Sequence, residues 1–265
     1  MAYSYTTFGA VTLPVYNRVA DISPAAALPR VIQTLGGAYD LDGSAQAAQV
    51  WPHPLTVEAV IWDSTAALLK TAIDALRALV GTRAYLTRQA DSDSSTQRAL
   101  CRLVGVEMQR SHEHKRAIQP VVLNLLQLGP WEAPTATTVT GTGITTATAY
   151  TLTNAGNLTC NNAIVTLTVA AGSAITAVAV TGSGISWSLL GAVAAAGYYT
   201  IDCGVESVRL GTADAYDRFA LAGYVLGSGH FVERWLPLAP GANSITVTPV
   251  GGAIDVLFSF RSTWQ

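Results

Sequence analysis

Charge is scarce in this 265-residue sequence, and neither sign dominates. Only 12% of the residues are charged, and 15 basic against 17 acidic residues leave a formal net charge of −2 at pH 7. Domains that bind nucleic acid or anionic lipid usually carry clustered positive charge, so we expect neither sequence-specific nucleic-acid binding nor electrostatic attachment to membranes. Half of the residues are hydrophobic, which excludes a mainly disordered chain.

Cysteines and long apolar runs are also few. Cys101, Cys160 and Cys203 can form one disulfide at most, so no disulfide framework is predicted, and we expect each thiol to be buried. The segment from Pro134 to Ile201 has no charged residue, but Thr, Gly, Ser and Asn interrupt it throughout. A membrane helix needs about 20 mostly apolar residues in succession, so we expect no membrane insertion.

The uneven distribution of charge indicates two domains. Residues 1–133 contain eleven basic and eleven acidic residues, whereas residues 134–265 contain four and six. The change falls at Gly129–Pro134, where two prolines stiffen the chain and prevent a helix from crossing it. The threonine-rich tract that follows, residues 135–153, suits an extended edge strand or a linker. We therefore predict domains at 1–133 and 134–265.

The first domain is predicted to combine strands with one helix. Apolar and polar residues alternate from Leu55 to Ile61, as in a strand with one buried face. The period then changes, and apolar residues recur three or four positions apart at Leu69, Ile73, Leu76 and Val80. Asp63 or Ser64 is suited to cap the start of this helix, and Gly81 to end it. Further predicted features are strands at Arg83–Arg88, Arg98–Arg110 and Lys115–Leu128 and a hairpin turn at Asp42-Gly43.

The second domain is predicted to be all β. Short segments of alternating apolar residues are separated by glycine-rich turns, the pattern of a β-sandwich. The side chains expected to face the core are Val165, Leu167, Val169, Tyr199, Ile201, Cys203, Ile254, Val256, Phe258 and Phe260.

Known catalytic and cofactor-binding motifs are missing from the sequence. There is no Gly-x-Ser-x-Gly nucleophile motif, and no Gly-x-Gly turn leads into a phosphate-binding Gly-Lys-Ser/Thr. The segment from Asp91 to Ser95 opens like a calcium-binding loop, but Thr96 and Arg102 occupy the positions where glycine and glutamate are required. We interpret Ala90–Gln97 as a polar surface loop and expect no cofactor.

His112 and His114 would face the same way on a strand and begin a zinc site. No Cys, His or acidic residue is placed by sequence to complete it, and residues 111–116 are polar throughout. We therefore predict an exposed loop or hairpin and no metal, although clustered histidines at an intersubunit surface would titrate at about pH 6.5.

Acidic and aromatic residues of the second domain suggest two alternatives. A hydrolase would use its acids, but none form an evident pair, and they are Asp202, Glu206, Asp214, Asp217, Glu233 and Asp255. A carbohydrate-binding module would stack sugars on exposed aromatic rings, for which Trp187, Tyr224 and Trp235 are the candidates. Aromatic residues of a sandwich also serve its core or an interface, and the pattern alone does not separate these uses.

The sequence as a whole resembles the distal tail protein of bacteriophages with long non-contractile tails. The similarity rests on the closing segments Leu236–Val247 and Ile254–Arg261, and in the first domain on Leu28–Ile32, the Gly36-Gly37 and Asp42-Gly43 turns, the strand at 55–61 and the single helix. This resemblance implies a mainly β fold. A tail-tube-like β-sandwich or barrel with one α-helix would precede a galectin-like β-sandwich.

The resemblance also implies a structural role in the virion, at the distal end of the phage tail, for a protein made in the host cytoplasm. Its copies would form a ring, in the family a hexamer, that joins the tail tube to the adsorption apparatus. Implied partners are further copies of itself, the tail tube protein, and hub, tape-measure or receptor-binding proteins. Such a protein acts by contact and is not an enzyme. The alternative is a carbohydrate-binding module that recognises host-surface glycans.

Strands that are apolar on both faces are the candidates for contacts between copies. The corresponding residues are Val60, Trp62, Leu100, Val104 and Val106, to which we add the histidine pair His112 and His114. The opposing interpretation is that the helix and a second sheet cover these faces, because a strand buried on both sides also reads as continuously apolar.

Overall fold

Antiparallel strands form most of the protein, which confirms the predicted mainly β class. The computed structural model describes residues 3–13, 18–19, 31–34, 37–40, 53–62, 65–90, 95–108, 118–182, 185–221 and 235–264. The chain divides into two units, Met1–Trp131 and Glu132–Gln265. The composition of the sequence had placed the boundary at residue 133.

The first unit is built on one curled antiparallel sheet with the strand order β6-β9-β8-β7-β1-β2. Strand β3 also pairs with β1 and lies near β6, so that the two ends of the sheet approach each other. Strands β4 and β5 pair with each other in a separate two-stranded sheet, and the predicted Asp42-Gly43 turn lies outside the described residues. The elements up to residue 132 are β1 (Tyr3–Phe8), β2 (Val11–Thr12), β3 (Arg18–Val19), β4 (Val31–Thr34), β5 (Gly37–Asp40), β6 (His53–Trp62), α1 (Ala66–Ala78), β7 (Arg83–Ala90), β8 (Thr96–Met108), β9 (Ile118–Gln127) and β10 (Trp131–Glu132).

Alternation along these strands places the core on one face of the sheet. The buried side chains include Tyr5, Phe8, Val57, Ala59, Ile61, Leu86, Ala99, Cys101, Leu103, Val121, Leu123 and Leu125. Val57, Ala59 and Ile61 are buried, which confirms the predicted core face of the strand at 55–61, whereas its first residue, Leu55, is half-buried. The thiols of Cys101, Cys160 and Cys203 are all buried, as expected.

Helix α1 lies against β2, β6 and β8 and buries Ile73 and Leu76. Its N-cap is Thr65, whose Oγ1 accepts a hydrogen bond of 3.2 Å from the backbone N–H of Leu68, rather than Asp63 or Ser64 as predicted. The helix ends at Ala78, so Val80 does not belong to its apolar stripe and is exposed.

The second unit is a β-sandwich, as predicted. One sheet has the order β11-β21-β13-β16-β17-β18 and the other the order β12-β20-β14-β15-β19. The threonine-rich tract supplies one edge strand to each sheet, β11 and β12. The strands are β11 (Thr137–Ile144), β12 (Thr148–Asn154), β13 (Ile164–Val169), β14 (Ile175–Gly182), β15 (Ile185–Val193), β16 (Tyr198–Asp202), β17 (Ser207–Leu210), β18 (Ala213–Asp214), β19 (Phe219–Leu221), β20 (Gly241–Val250), β21 (Ile254–Phe260) and β22 (Thr263–Trp264), with a 3-10 helix at Tyr216–Arg218.

The core of the second unit lies between these two sheets. All ten side chains that the alternation assigns to it are buried. Among them Phe258 is fully buried, and its ring centroid lies 5.5 Å from that of Tyr150. The neighbouring Leu257 points to the opposite face and is exposed.

Truncating Phe258 should therefore destabilise the second unit strongly. We expect Phe258→Ala to lower the free energy of unfolding by about 3–5 kcal/mol, because it removes buried apolar surface and leaves a cavity. The matched control Leu257→Ala should cost about 1 kcal/mol or less, since this side chain is already in contact with water. Urea denaturation followed by tryptophan fluorescence measures both, and equal effects would contradict the assignment of Phe258 to the core.

Gly81 offers a test of the turn that follows the helix. Its φ of +86° confirms the predicted left-handed conformation, and a Cβ at this position would have nothing within 4 Å. We expect Gly81→Ala to cost about 1–2 kcal/mol through backbone conformation alone. Gly129, where a Cβ would also meet open space but φ is not left-handed, serves as the control, and Gly129→Ala should be near neutral. Indistinguishable denaturation midpoints would contradict this account.

Candidate interaction surface

The face of the first unit's sheet that points away from its core is the main candidate for contacts with other proteins. We define the outer sheet face by the side chains of β6, β9, β8 and β7 that alternate with the buried ones. They are Pro54, Thr56, Glu58, Val60, Pro120, Val122, Asn124, Leu126, Arg98, Leu100, Arg102, Glu107, Arg83 and Tyr85, together with Val104. All of these side chains are exposed or half-buried.

Apolar side chains are spread along the outer sheet face. Strand β9 contributes the half-buried Pro120, Val122 and Leu126. The predicted contact residue Val60 lies opposite Pro120 in the register of β6 and β9, and Leu100 lies opposite Tyr85 in that of β8 and β7. The structure thus brings Val60 and Leu100 to one face. The two lie far apart on it, because Val60 is level with Pro120 and Leu100 with Leu128, just past β9 and eight residues further along the chain. Exposed apolar side chains on a sheet face are suited to contacts with other proteins.

A β-bulge in β8 separates Val104 from Val106. Leu103 pairs with Leu125 and Gly105 with Asn124, so Val104 is the extra, unpaired residue, and it is 58% exposed. Beyond the bulge the alternation is shifted by one position, and Val106 pairs with the buried Leu123. Val106 therefore lies on the core side of the sheet and is not part of the outer sheet face. The sequence pattern, which assumes an unbroken period of two, had grouped it with Leu100 and Val104.

Charges of opposite sign are separated along the outer sheet face. Glu58 and Glu107 both lie opposite Val122, on its two sides. Arg102 lies opposite Leu126, four residues further along β9, which corresponds to about 13 Å. Arg83 is directly opposite Arg102 on the next strand. We call Glu58 and Glu107 the acidic end of the face and Arg83 and Arg102 its arginine end.

Local contacts hold two of the charged side chains in place. The amide of Asn124 donates a hydrogen bond of 2.6 Å to Glu107 Oε1. Beside the arginine end, the guanidinium carbon of Arg98 lies 4.0 Å from the centre of the Tyr85 ring, a cation–π arrangement. These contacts orient the side chains without burying their charges.

Three of the predicted contact residues lie partly or wholly outside the described structure. Trp62 ends β6, where its backbone pairs with Ile118, and its side chain lies outside the described part of the structure. His112 and His114 lie outside the described residues altogether. Their contribution to an interface stays a prediction.

Sequence reasoning missed a buried arginine. Arg88 is 3% exposed, donates through Nε to Gln97 Oε1 at 2.9 Å, and places its guanidinium carbon 3.9 Å from the centre of the Trp131 ring. The Trp131 ring is also 6.1 Å from that of Tyr5. The sequence contains a signal for this burial: Arg88 lies two positions after the buried Leu86 on β7, so both side chains point to the same face of the sheet. The cluster belongs to the core of the first unit.

The sugar-stacking candidates that can be placed lie in the core of the second unit. Trp187 is 1% exposed and Trp235 3%, and the Trp187 Nε1–H donates to the Trp235 carbonyl at 2.9 Å. Phe219 stacks on Trp235 with ring centroids 4.5 Å apart. Neither indole face is open to a sugar, so both side chains serve the core here. Tyr224 lies outside the described residues.

The acids of the second unit mostly hold turns together. Asp202 accepts hydrogen bonds from the backbone of Gly204 and Val205, Asp214 from that of Tyr216, and Asp255 from that of Gly143. Each is a contact of a single carboxylate with the backbone and not a catalytic pair, within a turn for Asp202 and Asp214 and between strands β21 and β11 for Asp255. Glu233 lies outside the described residues.

Burial makes the thiols poor nucleophiles. It raises the pKa of Cys101 and that of Cys203 to about 12, and it also raises the pKa of Cys160. The thiolate, which is the reactive form, is therefore disfavoured at neutral pH. Among the described residues, no three His, Cys, Asp or Glu side chains lie close enough together to hold a metal ion. In the same ranges, no helix has the length and apolar character needed to cross a membrane.

The closing segment that carried the resemblance is organised by Asn243. This side chain is 4% exposed, accepts a hydrogen bond of 2.9 Å from the Ala239 N–H, and donates to the carbonyls of Ala239, Gly241 and Leu152. Gly241 has a φ of +91°, which glycine adopts without strain. The Pro-Gly-x-Asn motif thus closes a turn and ties it to β12, and its role is structural.

Comparison with solved structures finds a similar fold in a phage protein. The chain aligns with the SPP1 Dit protein, described as a paradigm of the hub adsorption apparatus in phages that infect Gram-positive bacteria, over 98% of its own length and 99% of that chain, with a TM-score of 0.59 and 14% identity. The chain has the Dit fold. The resemblance predicted from the sequence is therefore confirmed at the level of the fold.

Two further matches are to chains of the phage P2 baseplate in its activated conformation. The structure with calcium matches with a TM-score of 0.43 and 9% identity, and the structure with strontium with 0.41 and 8%. In both, the alignment covers 98% of this chain and 90% of the other. No protein-family profile and no curated protein matches the sequence.

Removing the Asn243 side chain should weaken the second unit. We expect Asn243→Ala to lower the free energy of unfolding by about 1–3 kcal/mol, because it leaves buried backbone groups of the turn without partners. The adjacent Ser244 is exposed, and Ser244→Ala should have little effect. Guanidinium denaturation of the two variants compares them, and an Asn243→Ala protein as stable as Ser244→Ala would contradict a structural role for the motif.

Proposed function

We propose that this protein is a structural component of a phage virion, a distal tail protein whose copies form a ring, hexameric as in the family it resembles, between the tail tube and the adsorption apparatus. The observation that carries the proposal is the match to SPP1 Dit over nearly the full length of both chains. Both units are matched in one alignment, which is a stronger constraint than a likeness confined to one common β-sandwich.

The outer sheet face supports assembly through the first unit. A closed ring uses heterologous contacts, in which each subunit presents two different surfaces to its neighbours. The outer sheet face would supply one of these two surfaces, because it carries exposed apolar and charged side chains. A stable interface buries more than about 1,000 Å² around an apolar centre. The ring would place residues 1–133 in contact with further copies and with the tail tube protein.

The second unit, which corresponds to the galectin-like domain predicted at 134–265, would supply attachment points for hub, tape-measure or receptor-binding proteins. Asp202 and Asp214 bind backbone groups of their own turns, Asp255 binds the backbone of Gly143 on the neighbouring strand, and the thiols of the chain are buried. The proposed role is accordingly contact and assembly, without catalysis or a cofactor. The alternative, recognition of host-surface glycans, is not favoured, because Trp187 and Trp235 are enclosed in the core.

Mass measurement tests the proposed ring. A single chain is 27.7 kDa, so a hexamer should appear at about 166 kDa in size-exclusion chromatography with light scattering, alone or with the tail tube protein present. Negative-stain micrographs of the same fraction should show annular particles. A protein that stays monomeric at high concentration, and that forms no ring with tail tube protein, would count decisively against the proposal.

A further inference from the structure

The free edge of strand β12 in the second unit presents backbone groups that no other strand uses. Strand β12 ends the order β12-β20-β14-β15-β19 and, in the described part of the chain, pairs with β20 alone. About half of the N–H and C=O groups of an edge strand point away from its single neighbour. Over the seven residues of β12 they form a row of about 20 Å, which is a template for a further strand.

Proteins usually protect such edges, and the other three edge strands of the sandwich carry protection. Strands β18 and β19 are only two and three residues long. The register of β11 against β21 shifts between Gly141 and Ile144, and a bulge of this kind twists an edge strand. Strand β12 has none of these devices, because it pairs with β20 without a break over all seven residues and contains neither proline nor a charged residue.

The absence of charge decides which kind of strand fits this edge. None of the five strands of this sheet contains Asp, Glu, Lys or Arg. A charged side chain on an added strand would therefore lose water without meeting an opposite charge. The exposed side chains of β12 are Ala149, Thr151 and Thr153, which are small or β-branched. The edge accordingly suits an uncharged strand rich in β-branched residues, and neither a nucleic acid nor an acidic peptide.

The inner side of β12 offers an aromatic contact to an added strand. The ring of Tyr150 is half-buried, its centroid lies 5.5 Å from that of Phe258, and a Cβ at Gly141 would collide with its hydroxyl. The ring therefore lies at the side of the sandwich, between the edge strands β12 and β11. An apolar residue placed opposite Tyr150 would pack against this ring, in the same way that Ile245 is opposite Tyr150 in the ladder with β20.

Side-chain hydrogen bonds hold β12 in place before any partner arrives. The Asn243 amide donates to the Leu152 carbonyl at 3.2 Å. Asn154, the last residue of the strand, donates to the carbonyls of Leu158 and Leu238 at 2.7 and 2.9 Å. Because the edge is already ordered, pairing with it requires little further ordering of this chain.

We infer that the free edge of β12 binds an extended, uncharged strand of another protein, which joins the sheet through backbone hydrogen bonds. The inference rests on the proposed function, in which the second unit supplies attachment points, and it specifies where and how a partner attaches. A second copy of the chain is not the occupant. Two β12 edges in antiparallel pairing would form an isologous, two-fold contact, which closes as a dimer and does not continue around a ring.

A peptide copied from β20 is the probe, because β20 already complements β12 side chain by side chain. With a capped peptide of the sequence Ala242–Thr248 added to the full chain, hydrogen–deuterium exchange of the β12 amides should slow. The slowing should reach about twofold where the peptide concentration equals its dissociation constant. The same peptide with proline in place of Ile245 and Val247 lacks two backbone donors and should not protect β12. Equal protection by both peptides, or none at β12, overturns the inference.

Lysine substitutions on two edge strands provide matched variants. Thr151→Lys/Thr153→Lys places two positive charges on the β12 edge and should raise the dissociation constant of the peptide at least about tenfold. Thr138→Lys/Thr140→Lys adds the same charge at exposed positions of the edge strand β11 and should bind the peptide as the unaltered chain does. Circular dichroism melting should show that both variants are folded. An equal loss in both would mean that charge in general, and not the β12 edge, governs binding.

The outcomes distinguish this inference from the proposed ring. If the chain forms rings but the peptide does not protect β12, the edge site is wrong and the proposed function stands. If the peptide protects β12 but no ring forms with or without tail tube protein, the ring fails and the edge site is supported. If β12 becomes protected in the chain alone as its concentration rises, a second copy occupies the edge, and the assignment to another protein is overturned.

Discussion

Burial of one face of every sheet is the constraint on which this structure depends. In the second unit the two sheets bury their inner faces against each other, and an uncharged stretch of sequence supplies much of that core. In the first unit a single sheet curls around its core and helix α1 lies against β2, β6 and β8. The opposite face keeps exposed and half-buried apolar residues on β6, β9, β8 and β7. The proposed contacts between copies follow from this asymmetry.

One inserted residue decides which side chains that outer face presents. Because Val104 is unpaired, β8 changes parity there, and Glu107 comes to lie on the same face as Glu58, while Val106 turns to the core side. Without the bulge, Glu107 would lie on the core side. The acidic end of the outer sheet face therefore exists through a local irregularity of the ladder.

Polar side chains in the second unit are used mainly to satisfy backbone groups. Asn243 closes the turn before β20, Asn154 donates to two carbonyls, and Asp202 and Asp255 accept from backbone N–H groups. A carboxylate or amide engaged in this way stabilises the backbone around it. The second unit is weakly charged, which suits the role proposed for it.

Local pattern alone determined the strands with one buried face, the single helix and the all-β second domain, because periods of two and of about 3.6 residues are written directly in the order of apolar side chains. It also carried the resemblance that the fold comparison confirmed. Only the tertiary structure decided that Trp187 and Trp235 belong to a core and that Arg88 is buried against Trp131. The bulge at Val104, which turns Val106 to the core side of the sheet, is likewise visible only in the structure. Those outcomes depend on which strands become neighbours and in what register, and that is settled by packing between residues distant in the chain.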